Sequence, residues 1–114
     1  MHIQQEKQGG AVILALDEHL DTATAPRLEA HLLGLIEAGE SRVLVDCAAL
    51  EYVNSAGLKV LLIAAKKLEA AGGHFALCTL SPGVLLVFET IGFTRIMKIA
   101  VTRADGLQLL RGPA

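Results

Sequence analysis

Ser55 is the side chain most suited to carry chemistry in this sequence. It lies in Glu51-Tyr-Val-Asn-Ser-Ala-Gly-Leu-Lys-Val-Leu-Leu62, after a short apolar run, Val43-Leu-Val-Asp46. Beyond it, apolar residues recur at helical spacing: Leu58, Leu61, Leu62, Ala65 and Leu68. Asn54 and Ser55 therefore fall where a loop becomes a helix. Both residue types cap helix N-termini, accepting a bond from a backbone N–H that has no intrahelical partner. A hydroxyl there also sits beside the positive end of the helix dipole, where added negative charge is tolerated. Two roles fit the position: a phosphate acceptor, or an ordinary cap.

A catalytic serine needs a histidine within reach. Of His2, His19, His31 and His74, only His19 lies in a loop that could approach Ser55, with Asp17 or Asp21 to orient it. Nothing else supplies an oxyanion site, so binding is expected rather than catalysis. Gly9-Gly10 and Gly72-Gly73 are isolated turn pairs without the spacing of a phosphate loop. Carboxylates and histidines do not cluster at ligand spacing, so neither a metal nor another cofactor is expected.

A chain of 114 residues makes one domain, residues 1–114, with a real core and no room for a second. Hydrophobic residues reach 53% while aromatics are only 4%, so that core must be aliphatic. The net charge of −2, without a basic stripe, argues against nucleic acid as a partner. Cys47 and Cys78 lie at apolar runs and read as buried thiols of a cytoplasmic protein rather than a disulfide. The polar N-terminus lacks a signal-peptide core, and no apolar run approaches the roughly 18 residues that span a bilayer. Direct membrane insertion is not expected.

The elements that must position Ser55 follow from patterning. Residues 2–7 form an edge strand and 11–16 a second, joined as a hairpin by Gly9-Gly10. A polar bend over 17–24 precedes a helix opened by Thr22 or Thr24 and Pro26, striped by Leu28, Leu32, Leu35 and Ile36, and stopped at Gly39. Strand 42–46, the central helix and strand 74–79 come next. Ser81-Pro82 opens a third helix with Val84, Phe88 and Ile91 inward; strand 95–99 and a short helix from Thr102 close the chain. Alternation of strand and helix calls for an α/β fold: a mostly parallel sheet of about five strands with an antiparallel N-terminal strand and about four helices.

In such a sheet the loops at the C-terminal strand ends converge. Asp17 to Asp21, Cys47 to Ser55 and Thr79 to Ser81 are expected together, which places Asp21, Asn54 and Ser55 in one neighbourhood. With the helical stripe facing the sheet, Val60, Ile63 and Ala64 are left on the flank of the central helix, bordered by Lys59, Lys66 and Lys67. A helix apolar beyond one stripe is covered by its own domain or held ready for a partner.

Val43-Leu-Val-Asp46 followed by Leu50-Glu-Tyr-Val-Asn-Ser-Ala-Gly-Leu58 resembles the signature of STAS domains, specifically bacterial anti-sigma factor antagonists. Leu20-Asp-Thr-Ala-Thr-Ala-Pro-Arg-Leu28, Gly72-Gly-His-Phe-Ala-Leu-Cys-Thr-Leu-Ser-Pro82 and Phe88-Glu-Thr-Ile-Gly-Phe93 fit the same family in register. The resemblance runs from about Ala11 to Leu110 and rests on the set of segments in this order. It implies a partner-switching cycle with Ser55 as the phosphorylation site. The unmodified antagonist binds an anti-sigma factor that is also a serine kinase and so frees a sigma factor. Phosphorylation by that kinase ends binding, and a PP2C-type phosphatase restores it. Asp21 matches an acidic loop position near the acceptor.

The expected partner surface is thus Asp21, Asn54, Ser55, Ala56, Gly57, Leu58, Lys59, Val60 and Ile63, with Asp17, Asp21 and Asp46 making the patch more negative. Asn54 stands where the family carries aspartate; it keeps the capping oxygen and loses a charge. STAS domains also serve unphosphorylated, in lipid-transport complexes and stress-sensing scaffolds, and such a subunit is the alternative function. Whether two copies pair as a homodimer is left open by the sequence.

Overall fold

The structure, a computed structural model, describes residues 1–111. In chain order it has β1 (Ile3–Gln8), β2 (Ala11–Leu20), α1 (Ala25–Glu37), β3 (Arg42–Val53), α2 (Ser55–Ala70) and β4 (His74–Cys78). Then come α3 (Pro82–Thr90), a 3-10 turn (Phe93–Arg95), β5 (Lys98–Ala100) and α4 (Arg103–Leu109). The strands lie in sequential order, β1-β2-β3-β4-β5. Only β1 and β2 pair antiparallel.

Sequential order has a direct consequence. Every right-handed crossover moves the same way across the sheet, so α1, α2 and α3 must cover one face. Their apolar stripes bury Leu28, Leu32, Leu61, Leu68, Val84 and Phe88 with Val43, Val45 and Leu77. The other face is left to α4, whose Leu110 end closes over Ile13, Leu44, Ala76 and Cys78. Gly106 permits that seating: a Cβ on it would lie 2.7 Å from Leu44 Cδ1.

Several boundaries differ from the sequence expectation. β2 runs to Leu20 and β3 to Val53, through the polar stretches read as a bend and a loop. Register shifts at Ala15/Asp17 and Glu18/His19 break strict alternation there, which hides a strand from pattern reading. Thr24, not Thr22, is the N-terminal boundary residue of α1. Ile91 caps α3 at 48% exposure instead of pointing inward. The expected strand 95–99 is a 3-10 turn followed by a strand only from Lys98, because Met97 N–H bonds back to Phe93 O at 2.9 Å.

Asp46 is the one charged residue buried among those described, at 7% exposure. Arg103 of α4 donates to its Oδ2 from Nε at 3.0 Å and from Nη2 at 2.9 Å, and also pairs with Glu6. Those hydrogen bonds, Asp46 first, raise the guanidinium pKa further. Cys47 and Cys78 are free, buried thiols, and desolvation pushes both pKa values up. No helix among the described residues is long and apolar enough to cross a membrane.

Candidate functional site

The lengthened β2 and β3 carry the site beyond the main sheet. They stay paired to their last residues, His19 against Tyr52 and Leu20 against Val53. Asn54 N–H then donates to Leu20 O at 3.2 Å, tying the start of α2 to the end of β2. The Asn54 side chain is the cap: its Oδ1 accepts from Ala56 N–H at 3.1 Å and Gly57 N–H at 3.3 Å. Its Nδ2 donates to Thr22 Oγ1 at 3.3 Å. One amide thus closes the helix terminus and joins it to the loop before α1.

Because Asn54 does the capping, Ser55 is released from it. Ser55 is the first residue of α2, exposed, and its hydroxyl has no hydrogen-bond partner among the described residues. It stands at the positive end of a 16-residue helix. Asp21, half-buried, directly precedes Thr22 in the loop that Asn54 binds. Its Oδ1 accepts from Ala23 N–H at 3.0 Å and Thr24 N–H at 3.2 Å, and Thr24 Oγ1 donates to His19 O at 2.9 Å. Asp21 therefore shapes the loop with one carboxylate oxygen.

Between α1 and the start of α2 lies an open groove of about 270 Å³, lined by Thr22, Pro26, Glu29, Ala56, Lys59 and Ile63 among others. The groove brings Ala56, Lys59 and Ile63 of α2 to one surface with Thr22, and Asp21, Asn54 and Ser55 adjoin it as the chain neighbours of Thr22 and Ala56. Gly57 and Leu58 are not part of it, both being buried, whereas Val60, though largely covered, still lines the groove. Leu58 and Val60 are 4% and 7% exposed, and Ala64 only 2%. Of the two readings the sequence left open for the flank of α2, cover by its own domain holds for Ala64 and most of Val60, which pack under α1. Ile63 stays half-exposed at the groove's end, and Leu62 is only half-buried.

Other side chains named from the sequence also find their places. Asp46 pairs with Cys78 across β3 and β4, seven residues before Val53, so Thr79 to Ser81 stand level with Asp46 and away from Ser55. Asp46 itself is buried and neutralised by Arg103, adding nothing to the patch. Asp17 is occupied by His2, whose backbone N–H bonds its Oδ1 at 2.6 Å and, as the largest cause, lowers its pKa. His19 faces Glu51, Nε2 to Oε2 at 3.9 Å, and sets its ring edge-on to Tyr52 at 5.8 Å. It makes no hydrogen bond to Ser55.

Sequence reading missed Glu29 and Pro26 as groove walls, and Thr22 as the partner of Asn54. No motif announces a contact between residues 32 apart; only the β2–β3 extension creates it. Replacing Asn54 by alanine is expected to cost about 1–2 kcal/mol, the loss of a two-bond cap, and Asn54→Asp about nothing, because a carboxylate accepts the same bonds at the positive helix end. Thermal unfolding of both variants checks the pair: Asn54→Ala melting with the parent would show that the cap does not hold the terminus.

Residues 2–106 match the family profile of the STAS domain. A Bordetella bronchiseptica protein, BtrV, named as an anti-sigma factor antagonist, is 40% identical over 90% of this chain and 89% of its own. A Thermotoga maritima structure carrying the same functional name superposes with TM-score 0.90 at 22% identity, over 96% of this chain and 94% of that one. The Bacillus cell-fate determinant SpoIIAA, solved in its phosphorylated form, superposes with TM-score 0.73 at 23% identity, over 94% and 97% of the two chains. The two structures attest the fold, and the profile and the Bordetella relative attest the kinship.

Proposed function

The chain belongs to the STAS domain family, and from that premise we propose that it is an anti-sigma factor antagonist switched by phosphorylation of Ser55. The observation that carries the reading is the division of labour between two neighbours. Asn54 takes over the cap, leaving Ser55 an exposed hydroxyl with no internal duty. A kinase can reach such a group, and the fold does not depend on its staying free.

The unmodified site presents Ser55, Ala56, Lys59 and Ile63 beside the α1–α2 groove, a small apolar surface with one cation. An anti-sigma factor with serine kinase activity docks there and releases its sigma factor. Phosphorylation adds a charge of about −1.5 to −2 and three acceptor oxygens. The helix N-terminus accommodates them, and Asp21 on one side with Glu29 on the other makes the modified surface repel an acidic partner face. A PP2C-type phosphatase restores the binding form. The protein acts in the cytoplasm and as a binding module, not as an enzyme: Ser55 has no base within hydrogen-bond reach, and His19 is turned to Glu51.

Asn54 in place of aspartate favours a second reading, a constitutive STAS subunit of a larger assembly that is never modified. Intact mass of the protein from its own host, with the modified peptide mapped, separates the two. The switch predicts a gain of about 80 mass units on Ser55 under some growth or stress condition. An unmodified Ser55 under all conditions would leave the constitutive subunit as the better account.

A further inference from the structure

β5 is one of the two edge strands of the sheet and only three residues long. Ala100 O accepts from Thr79 N–H at 3.1 Å, so Ala100 directs its backbone polar groups at the β4 side. Peptide groups alternate along a strand, and the N–H and C=O of Ile99 therefore face away from the sheet. A groove of about 550 Å³ runs along this edge, lined by the consecutive residues Met97 to Val101. Leu80 and Leu85 wall it on the α3 side and Leu109 on the α4 side. Val101 is 83% exposed, so the apolar lining is open to solvent. Lys98 is the single ionisable group of the lining. Its ammonium donates to His74 Nδ1 at 3.3 Å and meets no carboxylate among the described residues.

We propose that this groove receives an extended segment of a partner protein, alternating apolar and acidic residues, which adds to the sheet beside β5 as a sixth strand. An added strand gains affinity from main-chain bonds to the free edge and specificity from side-chain pockets on either face. Here the two faces differ in chemistry. Apolar side chains of the segment fill the wall of Leu80, Leu85 and Met97, and a carboxylate meets Lys98. A second copy of this chain suits the groove poorly. Antiparallel pairing of β5 with its own copy through Ile99 would put both Lys98 side chains on one face of the joined sheet with no carboxylate in the lining to answer them. A lysine on a short edge strand discourages such self-pairing. β4 lies between β5 and β3, so the groove is a surface separate from that of Ser55.

The probe is a capped synthetic peptide, Gly-Val-Glu-Val-Glu-Val-Gly, titrated into the isotope-labelled protein while backbone amides are followed by NMR. The expected result is shifts confined to Met97 to Val101, Leu80, Leu85 and Leu109, with slowed hydrogen exchange at Ile99. Lys98→Glu, or the peptide with lysine in place of glutamate, is expected to weaken binding about tenfold. Three outcomes overturn the proposal. One is no shift at millimolar peptide, and another is equal binding of the acidic and basic peptides. The third is protection of Ile99 that rises with protein concentration without peptide, which would make a second copy the occupant.

Discussion

Ser55→Glu is expected to weaken binding to the host's kinase-type anti-sigma factor by about a hundredfold, close to 3 kcal/mol, while leaving the melting temperature within a few degrees of the parent. The two halves of this result come from the same geometry. Ser55 is exposed and bonds to nothing, so neither its removal nor its elongation disturbs a contact of the folded chain. A carboxylate at the first helical position is favoured by the dipole, so the fold gains slightly if anything. The cost falls on the proposed complex. There a hydroxyl pressed into an interface is replaced by a larger, charged group that must be desolvated, with Asp21 already nearby. Ser55→Ala provides the contrast: it keeps binding and cannot be modified. If Ser55→Glu bound as tightly as the parent, the hydroxyl would lie outside the interface.

Gly57→Val gives the largest expected loss of stability, about 3 kcal/mol, or roughly 10 °C in melting temperature. Gly57 is in the first turn of α2, pressed against the end of β2. A Cβ built there would lie 2.5 Å from Leu20 Cγ and 2.8 Å from Leu20 O. The side-chain contact could yield by a rotamer change. The backbone contact cannot, because Leu20 O also accepts the Asn54 N–H and holds the β2–β3 pair. Valine must therefore lift the helix terminus, breaking the link from Asn54 to Thr22 and misplacing Ser55. A better intrinsic helix former recovers less than about 1 kcal/mol of that. Thermal unfolding with a binding titration reads both effects. A Gly57→Val protein that melted with the parent would mean that α2 is not seated on β2 as described.

The contrast between these two residues shows what a sequence discloses here. Strand–helix alternation and turn glycines were enough for the α/β architecture, and the helical stripe led to Ser55 at a helix start. Asn54 was readable as a cap because capping is local chemistry within three residues. The reach of β2 and β3 was not readable. Residues 17–19 and 47–52 are mostly polar or small and exposed, and register shifts remove the alternation that marks a strand. That same extension sets Asn54 beside Thr22 and separates the site from Thr79 to Ser81. The burial of Val60 and Ala64 was equally hidden, since a helix flank looks alike whether a sister helix or a partner covers it. Asp46 looked like part of a negative patch until its partner, Arg103, 57 residues away, came into contact.

In the proposed switch, one group on Ser55 decides whether the partner binds. The most direct test is a calorimetric titration of the host's kinase-type anti-sigma factor with two preparations of this protein, unmodified and stoichiometrically phosphorylated on Ser55. Saturable binding by the unmodified form and none detectable by the phosphorylated form are expected, with both giving the same circular dichroism and melting curve. Equal affinity of the two forms would contradict the switch.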